Sequence, residues 1–315
     1  MKQIHDISVM RAGTRLFLAS SAVAVFITSA MAIASPYSDI NAAAKAGPIG
    51  VHRMRGNLAM LGGSGGNITA LATPQGFVLV DTGIAVSKMA ILAALKSIQP
   101  GPIKLAINTH WHWDHTDGNS WVRASGASVM ADRKAMLRLT QTIRVVEWQH
   151  TFKPVAHAAR PNIVITADRN LRFSGETVRV RHYRPGHTDG DVSVYFVQAD
   201  VLSVGDTFWN GQYPFIDYVT GGSIDGAIAA ANANIQMSTS RTIIVPGHGP
   251  LGDRASQIAF RDMLVTVRGN VAKLKAQGKT LAQVEAAKPT AAFDGQWGRS
   301  IIKGPMFIAL VYRGV

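Results

Sequence analysis

Residues 110 to 115 read His-Trp-His-Trp-Asp-His, three imidazoles and a carboxylate within six positions, just after the apolar run Ile103–Ile107. The apolar run reads as a buried strand. Zinc is held by imidazole nitrogen at about 2.0–2.1 Å and by carboxylate oxygen at a similar distance, so its ligands must converge on a point rather than spread along a face. In an extended segment His110 and His112 point to the same side. A turn beginning at Asp114 aims Asp114 and His115 at a second point beside the first. One segment therefore seeds two adjacent metal sites, and a fold that uses it must bring further ligands from other strand ends.

Such ends recur downstream. The alternating stretch 178–183 leads into Pro185-Gly186-His187-Thr188-Asp189-Gly190, the apolar stretch 201–204 into Gly205-Asp206-Thr207, and Ile243–Val245 into Pro246-Gly247-His248-Gly249. Pro-Gly-His thus occurs twice, each time after a strand. With Thr116-Asp117-Gly118-Asn119 continuing the first motif, the pattern resembles the His-x-His-x-Asp-His signature of the metallo-β-lactamase superfamily, over about residues 51–252. The resemblance implies an α/β chain folded as an αββα sandwich that looks internally duplicated. It also implies that His110, His112 and His187 bind a first metal, that Asp114, His115 and His248 bind a second, and that Asp206 bridges them. The second position is a histidine, whereas the family's flavodiiron oxidoreductases carry glutamate there, which disfavours a flavin partner. Gly205-Asp206-Thr207 is similar to the bridging-aspartate segment of glyoxalase II and the acyl-homoserine lactonases; zinc β-lactamases usually place Cys or Ser there.

An all nitrogen and oxygen ligand set suits two Zn(2+) ions per chain best, although iron and manganese also accept such ligands. Zinc lowers the pKa of bound water from 15.7 to about 7, so a hydroxide shared by two metals would be the nucleophile, oriented by Asp114 or Asp206 as the catalytic carboxylates. The expected activity is hydrolysis of a small carbonyl substrate: a β-lactam, lactone, thioester or ester. An iron-dependent persulfide dioxygenase and a ribonuclease-Z-like nuclease are the rivals sharing the motif. The chain has no cysteine, which excludes thiolate ligands, disulfides and a cysteine nucleophile together. Residues 62 to 66 formally spell G-x-S-x-G, but a nucleophile elbow needs a helix directly after it. The next residues are strand-like instead, so this is read as a glycine-rich turn.

Residues 1–34 read as a secretory signal. Lys2, Arg11 and Arg15 precede an apolar stretch, and Ala32-Ile33-Ala34 supplies an A-x-A cleavage pattern. An uncleaved anchor is the rival reading. The expected location is periplasmic or secreted, with no stable membrane insertion after cleavage. The formal charge is +13, and removing these residues leaves +11. Lysines and arginines are scattered without a run of five, so the expected partner is a small-molecule substrate rather than a nucleic acid. Residues 35–48 read as a linker and 49–315 as the metallo-β-lactamase-like domain with C-terminal helices.

Within the domain, residues 51–60, 68–72 and 77–80 look like strands of hairpins. Asp81, at the end of the third, either orients a metal ligand or caps a turn. Residues 85–98 have helical spacing with Met89, Leu92 and Leu95 on one face. Residues 140–174 read as an insertion that walls the substrate pocket, with His150 and His157 as ordinary polar residues, and the second sheet is expected from residue 178. Trp111, Trp113, Phe208, Trp209, Tyr213, Phe215 and Tyr218 neighbour the ligand positions and form either an aromatic mouth or core. A helix over 253–277 and a capping box at Thr280 and Gln283 complete the reading.

Overall fold

A computed structural model describes residues 35–315; residues 1–34, read above as a secretory signal, lie outside the described residues. Among the described residues fourteen strands occur in chain order: β1 (Gly50–Arg53), β2 (Leu58–Gly62), β3 (Ile68–Thr73), β4 (Gly76–Val80), β5 (Ile103–Ile107), β6 (Ser128–Asp132), β7 (Ile143–Val145), β8 (His150–Phe152), β9 (Ile163–Ile165), β10 (Arg169–Phe173), β11 (Glu176–His182), β12 (Val192–Phe196), β13 (Val201–Ser203) and β14 (Ile243–Val245). They build a seven-stranded sheet in the order β1-β2-β3-β4-β5-β6-β9 and a five-stranded sheet in the order β10-β11-β12-β13-β14, with β7 and β8 as a separate hairpin. The first sheet is antiparallel from β1 to β4 and parallel from β4 to β9. The second is antiparallel except for the parallel pair β13 and β14.

The layers follow from side-chain alternation. In β11, Val178 and Val180 are buried while Arg179 between them is exposed. The valines meet Leu58, Val78, Val80 and Ile107 of the first sheet in the core between the sheets. Strands β3 and β4 are buried along their whole length, because their other face is covered by Ile91, Ala94 and Leu95 of the helix Lys88–Ile98 and by Trp121 and Val122. The helices Ile224–Met237, Arg254–Ala276 and Gly304–Gly314 cover the outer face of the second sheet. Each fully buried Val, Leu or Phe contributes roughly 1.5–3 kcal/mol. The result is the expected αββα sandwich, with the carboxyl ends of β4, β5, β13 and β14 leading into the candidate site residues.

Several expectations are corrected. Residues 35–48 are not a linker: they contain the helix Pro36–Ala46, opened by a capping box between Ser35 and Ser38. Tyr37, Ile40 and Ala44, spaced by three and four, pack it on the core. Residues 51–60 form two strands, β1 and β2, rather than one. In the helix Lys88–Ile98 the buried stripe is Ile91, Ala94 and Leu95, while Met89 is 74% exposed; counting Ala94 as apolar restores the i, i+3, i+4 spacing. Residues 140–174 are only partly an insertion, since β9 joins the first sheet and β10 opens the second, nine residues before residue 178. The capping box at Thr280 and Gln283 opens the helix Leu281–Ala286 as read.

Candidate metal centre

Seven side chains named from the sequence come together as two adjoining groups: His110, His112, His187 and Asp206 in one, and Asp114, His115 and His248 in the other, with ligand atoms within 4.8 Å of one another in each. Asp206 faces both. Its Oδ1 lies 3.0 Å from His115 Nε2, and its Oδ2 lies 3.4 Å from His187 Nε2, 3.4 Å from His248 Nε2 and 3.8 Å from His110 Nε2. Asp114 Oδ2 is 3.2 Å from His248 Nε2 and 3.8 Å from His115 Nε2. His150 and His157 belong to neither group, and His150 stacks on Tyr37 instead.

Outer partners determine which nitrogen each imidazole turns inward. His115 Nδ1 donates to Asp81 Oδ2 at 2.8 Å, and His187 Nδ1 donates to the carbonyl of Phe215 at 2.9 Å. The Thr109 hydroxyl gives its proton to Asp81 Oδ2, leaving its oxygen to accept from His110 Nδ1 at 3.0 Å. His112 is reversed, because its Nε2 donates to Asp217 Oδ2 at 3.0 Å. Each ring therefore presents a lone pair to the centre: Nε2 of His110, His115 and His187, and Nδ1 of His112. Asp81 is thus an orienting residue, held at φ 64°, a left-handed conformation that aspartate tolerates better than most residues. Asp217 was missed in the sequence. It sits in a loop, wholly buried, and accepts hydrogen bonds from Val219 and Thr220 as well as His112.

Two glycines allow this closeness. A Cβ on Gly66 would lie 2.2 Å from His115 Cε1, and one on Gly247 would lie 2.0 Å from Asp206 Oδ1. The glycine-rich turn after β2 is therefore part of the centre's wall.

The electrostatics suit cations. Burial drives the His110 imidazole well below its usual range, helped by repulsion from His115, and drives His187 down to about 4. Burial opposes ionisation of Asp206, yet the imidazoles of His248, His115, His187 and His110 hold its carboxyl well below the carboxylate range. Burial likewise opposes the charge on Asp217, but the hydrogen bond and charge of His112 hold it at about 2. Against burial, carboxylates raise His115 well above its usual range and His248 to about 9, led in both by Asp206. Proton and cation compete there for the same lone pair.

The residues fit metal ions on geometry as well. His110 Nε2, His115 Nε2 and Asp206 Oδ1 are buried without a hydrogen-bond partner among the described residues. The last two face each other at 3.0 Å without hydrogen-bond geometry, as donors converging on a third atom do. His112 Nδ1 and His187 Nε2, both lone-pair nitrogens by the tautomers above, stand 2.9 Å apart, an arrangement a shared cation relieves.

The aromatic residues divide between the two readings. Trp113, Trp209 and Phe215 line a cavity of about 180 Å³ that reaches His112, Asp114, Asp206 and His248, and Trp148 of the 140–174 segment joins them. Phe208 and Tyr213 are core, packed on Phe260 and Phe307. Trp111 is buried and donates to Thr220 Oγ1, and Tyr218 packs under Arg313.

Residues 61–248 match the metallo-β-lactamase superfamily. The probable metallo-hydrolase YqgX of Bacillus subtilis (strain 168) is 28% identical over 158 residues, covering 46% of this chain and 68% of that protein. Among solved structures, a metallo-β-lactamase from Pontibacter korlensis is similar with a TM-score of 0.56 at 21% identity, over 69% of this chain and 99% of that one. A double mutant of the sec-alkyl sulfatase PisA1, an enzyme from Pseudomonas sp., gives a TM-score of 0.62 at 18% identity, covering 89% of this chain and 51% of that one. The chain therefore spans about half the sulfatase's length, and at these identities both structures speak for the fold alone.

Proposed function

The chain belongs to the metallo-β-lactamase superfamily and is a metallo-hydrolase, and we propose that it is an exported dinuclear zinc enzyme that hydrolyses a small carbonyl substrate. The observation that carries this reading is Asp206, which faces both ligand groups at once, with Oδ1 on His115 and Oδ2 on His187, His110 and His248. His110, His112 and His187 would hold one ion, Asp114, His115 and His248 the other, with Asp206 common to both. When bound, the ions supply Lewis acidity toward a carbonyl oxygen and lower the pKa of water to about 7.

The chain's own residues supply position and proton handling. Asp206 and Asp114 are the buried carboxylates on the cavity side, so they orient the attacking water, and Asp114 takes its proton and returns it to the leaving group. Trp113, Trp148 and Phe215 exclude bulk water from the reacting carbonyl. Export is supported by Lys2, Arg11 and Arg15 before an apolar stretch and Ala32-Ile33-Ala34 after it.

The test is metal analysis of the purified protein together with a hydrolysis panel of β-lactam, lactone, thioester, carboxylic ester and, because of the fold shared with the sulfatase, a sec-alkyl sulfate. Two zinc ions per chain and turnover of at least one carbonyl substrate are expected. Fewer than two metals with no turnover contradicts the reading, and oxygen uptake with a thiol persulfide or cleavage of RNA replaces it.

A further inference from the structure

Two clefts meet at the candidate centre. The aromatic cavity is about 180 Å³, and a second cleft of about 530 Å³ runs along Gly62, Gly63, Asn67 and Pro250. They share Gly65, Gln212 and His248, so a substrate whose reacting bond lies beside His248 places one part in each. Among the described residues that line them there is no lysine or arginine, although the chain carries 32. The charged side chains in the aromatic cavity belong to the centre itself, including the carboxylates of Asp114 and Asp206. The rest of its wall is apolar or neutral: Ile40, Trp113, Trp148, Phe215 and Ile301, with Gln212 and Ser300 as hydrogen-bonding groups.

Resting on the hydrolase reading above, we infer that the substrate is uncharged, with an apolar group about the size of one benzene ring seated in the aromatic cavity and a neutral polar part along the glycine-rich cleft. The volume sets the size, since an apolar cavity of roughly 150 Å³ takes up benzene. Charge sets the class. A carboxylate or sulfate on the seated group loses its water against apolar walls and meets no side-chain cation to replace it. Esters, thioesters and lactones without an ionised group satisfy the site. β-Lactams with their ring carboxylate and sec-alkyl sulfates do not. Selectivity also comes from beyond residues 61–248, which carry the family match, because Ile40, Ser300 and Ile301 belong to flanking segments.

The experiment compares methyl phenylacetate with methyl 4-carboxyphenylacetate, which adds one carboxylate to the seated ring of the same ester, on the zinc-loaded full chain. The neutral ester is expected to lead in kcat/KM by at least about 10-fold, because the charged ring is desolvated without a counter-charge. Ile301→Lys, which puts a cation on the cavity wall, is expected to narrow that ratio several-fold at unchanged zinc content. Ile40→Lys, from the opposite flanking segment, is the second variant should the first fail to fold. Benzyl alcohol, titrated against the tryptophan fluorescence of the metal-free protein, should give a saturable change. Equal turnover of the two esters, preference for the charged one, or a ratio unmoved in a folded lysine variant overturns the inference while leaving the hydrolase reading intact. Saturable benzyl alcohol binding with no ester turned over supports the cavity assignment and counts against the hydrolase.

Discussion

At the centre, the imidazoles of His110, His112, His115 and His187 each turn their outer ring nitrogen to a hydrogen-bonding partner; on the wall beside it, the indole N–H groups of Trp113, Trp148 and Trp209 are buried with no acceptor among the described residues. Buried indoles usually find an acceptor, so these three are held by shape alone: Trp148 packs edge-on to Trp113 at 5.9 Å and tilted against Phe215 at 4.9 Å between ring centroids. The centre is directional and drawn from strand ends, whereas the wall is a packing of side chains from scattered places: Trp113 of the ligand segment, Trp148 of the β7–β8 hairpin, Trp209 and Phe215 after β13, and Ile40 and Ile301 of the segments flanking the family match. Directional sites lose function when one hydrogen bond goes. Packed walls lose stability and change preference but leave ligand positions in place.

Asp217→Asn attacks the directional part most sharply. The amide keeps the shape of Asp217 but removes the charge behind His112 and permits the wrong tautomer, so a 10–100-fold loss of metal affinity or turnover is expected, with little change in the far-UV spectrum. Zinc titration and steady-state kinetics on one preparation check it. Unchanged affinity and turnover would mean that the outer partners do not tune the centre, and the contrast with the wall would collapse. Trp148→Ala probes the other side. Removing a buried indole costs about 3–5 kcal/mol of stability, read as a lower denaturant midpoint, while zinc content stays at the wild-type value and the cavity accepts a larger acyl group. A drop in zinc content in the folded variant would show that wall and centre are one unit.

The same contrast explains what the sequence disclosed. His110 to His115, the two Pro-Gly-His segments and Asp206 were legible because metal ligands must converge from strand ends, and both the apolar strands and the turns after them leave local patterns. Asp81 was legible only as one of two readings, and the structure places it on His115 and Thr109. Asp217 was not. A single carboxylate in a loop has no signature until the chain folds it against His112, 105 positions away. The wall was half legible: the aromatic residues stood out, but Trp113 and Phe208 have the same local appearance, and only packing makes one cavity and the other core. Ile40 and Ile301 could not be found, because what pairs them is the folded arrangement of the flanking segments. The stripe in the helix Lys88–Ile98 was misassigned for a simpler reason, the omission of alanine from the apolar set.

Zinc stoichiometry and thermal midpoint, measured together with turnover on Asp206→Asn, test the bridge between the two ligand groups most directly. The substitution keeps the side chain's shape and removes the charge that both groups face. A folded variant with reduced occupancy of one of two metal positions and a turnover loss of at least about 10-fold is predicted, since even changes behind the ligands of metal sites cost 10–100-fold. Two tightly bound zinc ions with unchanged turnover, whatever the thermal midpoint, would contradict it.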